Sequence, residues 1–146
     1  MESYSFKNVD FTYPEGEKKA LQGISFTVQQ GEFVILCGPS GCGKSTLLQI
    51  AGLLDRPSGG QVFIDGQNCE KANDGLRTAL RRDYMGFVYQ YHNLLPDFDA
   101  LENVMIPQLI AGVKESAAKE KAEWLLNRLG LKERIKHRPA ELSGGE

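Results

Sequence analysis

Eight residues, GPSGCGKS from Gly38 to Ser45, have the types and spacing for phosphate chemistry. They match G-x-x-x-x-G-K-[ST], a loop that wraps backbone N–H groups around phosphate oxygens. Gly38, Gly41 and Gly43 let the chain curl, with Pro39, Ser40 and Cys42 filling the variable positions. Lys44 brings a compact positive charge to β- and γ-phosphates, and the Ser45 hydroxyl suits Mg²⁺. Thr46 can donate toward the α-phosphate, and a following helix adds the positive end of its dipole. An incidental glycine-rich turn carrying an exposed lysine would share this composition but would not need strand and helix flanks.

Three other places carry candidate chemistry. Tyr13 ends an aromatic-rich segment, where its ring can stack on an adenine base or simply pack on its neighbours. Gln90 follows an apolar run, where a polar side chain reaches a bound cation and water or serves as an ordinary loop residue. Leu142, Ser143, Gly144, Gly145 and Glu146 combine a capping hydroxyl with two residues that permit close backbone approach. The same five residues also fit a flexible tail.

The elements that position these groups follow from periodicity. Tyr4, Phe6, Val9, Phe11 and Tyr13 come close to alternation with one slip, which predicts a half-buried strand. Ile24–Val28 repeats the pattern after a connection, giving an antiparallel layer. Phe33–Cys37 and 85–90 (MGFVYQ) are apolar on both faces, which predicts strands at the centre of a parallel α/β sheet. A strand is expected at 61–65, and helices over 44–54 and 76–84. Beyond residue 90 the texture turns helical. Asp99 and Glu102 have capping-box spacing, Pro107 is expected to end or kink that helix, and Ser116–Leu129 is a helix with Ala118, Ala122, Leu125, Leu126 and Leu129 on one face and Gly130 as its stop. A division follows into a β-rich core over 1–90 and a helical subdomain over 91–146.

Bulk properties narrow the class. In 146 residues, 17 Lys and Arg against 19 Asp and Glu leave a net charge of −2, without the basic excess of a nucleic-acid binder. The longest apolar runs are too short to span a bilayer, and the start lacks a secretory pattern. Cys37, Cys42 and Cys69 lack metal-site spacing.

In order, Tyr13, the GPSGCGKST loop, Gln90 after GFVY, and LSGGE resemble the nucleotide-binding subunit of ABC transporters. The resemblance covers the whole chain and implies an α/β P-loop NTPase fold with an amino-terminal antiparallel layer. It also implies that ATP and Mg²⁺ are bound, Tyr13 stacks on adenine, and Ser45 and Gln90 face the metal. Leu142–Glu146 becomes the signature that closes over ATP held by a second copy in a head-to-tail dimer. The commonest signature has Gln where Glu146 stands, a change expected to be tolerated. Finer features, in GFVYQYHNLLPDFDA and HRPAELSGGE, resemble the branch of lipoprotein-releasing transporters of Gram-negative bacteria, near macrolide exporters and a cell-division ATPase. That branch implies an ATPase peripheral to the cytoplasmic side of the inner membrane, gripping membrane subunits through the segment after Gln90. The family's Walker B Asp and Glu and its switch His have no counterpart here, and His92 and His137 do not replace them. The chain therefore reads as an amino-terminal fragment, able to hold nucleotide but not to hydrolyse it, with the middle of its own sheet missing.

Overall fold

The computed structural model describes residues 2–14, 18–89 and 93–146. The chain divides into two compact units, Met1–Phe87 and Val88–Glu146.

The first unit is built on two long antiparallel strands, β1 (Glu2–Thr12) and β2 (Lys19–Gln29), with Phe6 opposite Phe26 and Val9 opposite Ile24. Strands β3 (Gly59–Ile64) and β4 (Gln67–Asn68) complete the order β2-β1-β3-β4. The slip in the β1 pattern is a bulge. Asn8 adopts φ 49, and the register shifts between Phe6 and Val9, so that both side chains still reach the core. Asn is one of the few residues that tolerate this conformation. Ser25 meets the bulge, its Oγ accepting from the Asn8 N–H at 2.8 Å. Gly60 closes over the same place at φ 80, where a Cβ would lie 2.2 Å from the Asn8 carbonyl oxygen.

Helices α1 (Lys44–Ala51) and α2 (Asp74–Tyr84) share one core with this sheet, formed by Phe6, Val9, Ile50, Val62 and Leu80 among others. Asn73 caps α2 by accepting from the Leu76 N–H at 2.8 Å. Arg77 and Arg81 of α2 both donate to the Leu53 carbonyl, at 2.7 and 2.6 Å, just past the end of α1. Cationic groups at that end of a helix complement its dipole. The Arg77 guanidinium also touches Asp74 at 3.3 Å, so the buried arginine has a partner of each kind.

Two expected strands are absent. Phe33–Cys37 belongs to no ladder among the described residues, and Phe33 and Ile35 are 89% and 69% exposed. Residues 85–89 likewise form no strand, and Val88 is fully exposed. The physical reason is pairing: a doubly apolar strand needs neighbours on both edges, and no described strand lies beside either segment. Cys37, expected to be buried in that strand, is exposed, as is Cys42; only Cys69 is buried.

The second unit packs α3 (Ala100–Ile110) against α4 (Glu115–Arg128), followed by single 3₁₀ turns at Lys132–Arg134 and Pro139–Glu141. The Asp99–Glu102 capping box forms in full. Helix α3 does not end at Pro107 but runs on to Ile110. Ala118, Ala122 and Leu126 are buried as expected, Leu125 is half-buried, and Gly130 follows the helix at φ 77. Leu129 departs from that face and is 74% exposed. No helix among the described residues is long and apolar enough to cross a membrane.

Candidate functional site

The loop from Gly38 to Gly43 runs directly into α1, whose first residue is Lys44. Gly43 is the N-cap at φ 95, and no side chain caps the helix. The first-turn N–H groups are therefore left to a ligand or to water. A side chain at Gly43 is excluded, because a Cβ would stand 2.6 Å from the Ala20 carbonyl oxygen and 3.0 Å from the Leu21 side chain. β2 thus presses the loop into place.

Lys44 Nζ donates to the carbonyl oxygens of Gly38 and Pro39, each at 2.7 Å, with Cys42 Sγ at 3.7 Å. The ammonium is held across the mouth of its own loop, where it can exchange those carbonyls for phosphate oxygens. Ser45, next along, is exposed, whereas Thr46 is buried. Among the described residues no cluster of three or more His, Cys, Asp or Glu can hold a metal. A donor set of one hydroxyl suits Mg²⁺ only together with phosphate oxygens and water, which is how this ion is usually bound. The loop thus fits a nucleoside triphosphate that brings its own metal.

Tyr13 is brought to this loop by contacts the sequence does not show. Its hydroxyl and Thr46 Oγ1 are 2.8 Å apart, and its ring stands edge-on to Phe11 at 4.9 Å. The ring remains 44% exposed. It also borders a groove of about 460 Å³ formed with Pro14, Leu54, Arg56, Pro57 and Arg77. Gln90 and His92 lie outside the described residues.

Leu142–Glu146 lies in the second unit. Leu142 packs on the α3–α4 core, and Ser143, Gly144 and Gly145 are exposed. The Ser143 N–H donates to Glu146 Oε2 at 2.8 Å, and Arg134 Nε donates to Glu146 Oε1 at 3.0 Å. The Ser143 hydrogen bonds, backbone first, and then Arg134 bring the Glu146 carboxyl down to about 2. Sequence reading missed this role, although S-x-x-E is the spacing of a capping box and signals it. It also missed Asn103. That amide clamps the preceding loop by accepting from the Leu95 N–H at 2.9 Å and donating to the carbonyls of Leu95, Phe98 and Asp99 at 3.0–3.1 Å. Leu94, Leu95 and Phe98 are presented on that loop with 39%, 45% and 40% exposure.

Comparison with known proteins places this geometry in a family. The profile described as ABC transporter matches residues 21–146. The chain is 55% identical over 140 residues to a lipoprotein-releasing system ATP-binding protein LolD of Hyphomonas neptunium, covering 94% of this chain and 61% of that protein. It is 56% identical to the LolD of Maricaulis maris, covering 90% and 57%, and 50% identical to that of Saccharophagus degradans, covering 95% and 62%. The chain thus spans about three fifths of the length of these relatives. Among solved structures, the dimeric post-hydrolysis state of an ATP-binding cassette bound to ADP and Pi superposes with a TM-score of 0.88 at 39% identity, over 97% of this chain and 63% of that one. A second dimeric structure, of a bacterial ABC transporter cassette, gives the same values. With the family profile matching residues 21–146 and an ATP-binding cassette superposing over 97% of the chain, the chain belongs to the ABC transporter ATP-binding family.

Proposed function

We propose that this chain is the nucleotide-holding part of an ATPase that drives lipoprotein release from a bacterial inner membrane. The observation that carries the reading is the Gly38–Ser45 loop, with Lys44 held at its mouth by the Gly38 and Pro39 carbonyls and the N-terminus of α1 uncapped by any side chain. In this reading the loop amides and Lys44 bind the β- and γ-phosphates, Thr46 faces the α-phosphate, and the Ser45 hydroxyl would hold Mg²⁺. The ion neutralises phosphate charge, and this chain's residues orient the triphosphate around it. The identity to LolD proteins supports the lipoprotein-releasing branch over macrolide export and cell division. The division into a nucleotide-binding core and a helical subdomain, the head-to-tail dimer, and a cytoplasmic position against the membrane belong to the same proposal. The clamped loop carrying Leu94, Leu95 and Phe98 supports docking of membrane subunits there, since contiguous apolar side chains on a loop mark an interaction site.

The Tyr13 contacts give a direct test. Tyr13→Phe keeps the ring and removes only the bond to Thr46, so its affinity for ATP should stay within about threefold of wild type. Tyr13→Ala removes the stacking face and should weaken ATP by about tenfold while leaving inorganic triphosphate binding unchanged, because stacking contributes about 1–3 kcal/mol and acts on the base alone. Fluorescence titration with both ligands checks this. Equal losses for ATP and triphosphate in Tyr13→Ala would remove Tyr13 from the base site.

A further inference from the structure

The signature segment contains an internal brace. The two oxygens of the Glu146 carboxylate do separate work: Oε2 accepts from the Ser143 N–H at 2.8 Å, and Oε1 accepts from Arg134 Nε at 3.0 Å. The Glu146 N–H donates back to the Ser143 carbonyl at 3.0 Å, closing the loop around Gly144 and Gly145. Arg134 is itself anchored. Its Nη1 lies 3.2 Å from His137 Nε2, and its carbonyl accepts from the His137 N–H at 2.9 Å. The His137 carbonyl then accepts from the Ala100 N–H, at the first residue of α3, at 2.9 Å. A continuous run of polar contacts therefore leads from the start of α3 to the Ser143 amide.

We propose that Arg134 is a positioning residue for the signature loop, acting through Glu146 to fix the direction of the Ser143–Gly145 backbone. The inference rests on the reading of that loop as a nucleotide contact made across a dimer. Its two glycines have no packing to hold them: Gly144 and Gly145 are exposed, and a Cβ added at either meets no atom within 4 Å among the described residues. A loop of two glycines that must present its backbone to an anion loses its aim unless its ends are held. Glu146 holds both ends together, and Arg134 holds Glu146 to the helical unit. Arg is suited to this because its planar fork can serve the carboxylate with one nitrogen and His137 with another, which Lys cannot do.

The test uses the ATPase that carries this sequence. Arg134→Ala should lower turnover at saturating ATP by about tenfold, the scale of one charge-assisted hydrogen bond, with nucleotide affinity of the isolated subunit within about twofold of wild type. Glu146→Ala should cost more, because it also frees the Ser143 amide. The double variant should match Glu146→Ala alone, since Arg134 acts only through the carboxylate. Arg134→Gln, gentler on folding, should follow Arg134→Ala in direction. Arg134→Ala with normal turnover, or losses that multiply in the double variant, would overturn the proposal. A separate variant probes the reading beneath it. The Cβ that Gly145→Val adds has open space around it, with no atom within 4 Å beyond the chain neighbours, so a loss of turnover reports blocked ligand approach. Normal turnover in Gly145→Val would reject the signature reading itself, whereas loss there with a neutral Arg134→Ala would reject only the brace.

Discussion

Lys44→Ala is expected to abolish ATP turnover in the ATPase and to weaken ATP binding by about 10- to 100-fold, with little change in thermal stability. The ammonium donates to the exposed carbonyls of Gly38 and Pro39 and to the exposed Cys42 Sγ, so its removal leaves no buried group unsatisfied. What is lost is its differential interaction with phosphate. Charge-assisted hydrogen bonds contribute about 1.5–3 kcal/mol, and the transferring phosphoryl group depends on such charge more in the transition state than in the ground state. Arginine should not rescue, because its planar fork is larger than the compact charge this loop encloses. Calorimetric titration beside a melting curve separates the two effects. A variant that loses stability along with affinity would mean that Lys44 holds the loop rather than the ligand.

Gly43→Ala should fail differently, with stability and affinity falling together. At φ 95 any other residue is strained, and the new methyl would stand 2.6 Å from the Ala20 carbonyl oxygen on β2. Backbone and contact costs together come to about 2–4 kcal/mol. The loop can relieve this only by moving off β2, which also turns the first amides of α1 away from the phosphates. Chemical denaturation and ATP titration of the same sample should show both losses. A stable Gly43→Ala protein with normal affinity would mean that β2 does not position the loop.

Local chemistry was legible in the sequence wherever one segment contains its own instruction. The glycine turn into α1, the Asp99–Glu102 cap and the stop at Gly130 were all read from residues a few positions apart, and each of these local features formed. The slip in β1 was visible as a pattern, but its cause was not, because it lies in Asn8 meeting Ser25 and Gly60 from other strands. Phe33–Cys37 shows the converse. An apolar pattern on both faces reports the surroundings a strand requires, and says nothing of whether neighbours are present to pair with it. The contacts that refine the candidate site also cross long intervals. Tyr13 meets Thr46, Arg134 meets Glu146, and the Asn103 amide reaches back to Leu95. None of these pairs is selected by spacing alone; each depends on how strands and helices bring distant residues together.

The central claim is that Gly38–Thr46 recognises the phosphate chain of a nucleotide, reading its β- and γ-phosphates above all. Competition binding on the 146-residue chain tests it most directly, with fluorescent ATP displaced in turn by ATP, ADP, AMP and pyrophosphate in the presence of Mg²⁺. The account predicts that ATP, ADP and pyrophosphate compete while AMP is weaker by about tenfold or more, the scale of one lost charge-assisted contact to phosphate. AMP competing as well as ADP, or binding that pyrophosphate cannot displace, would contradict it.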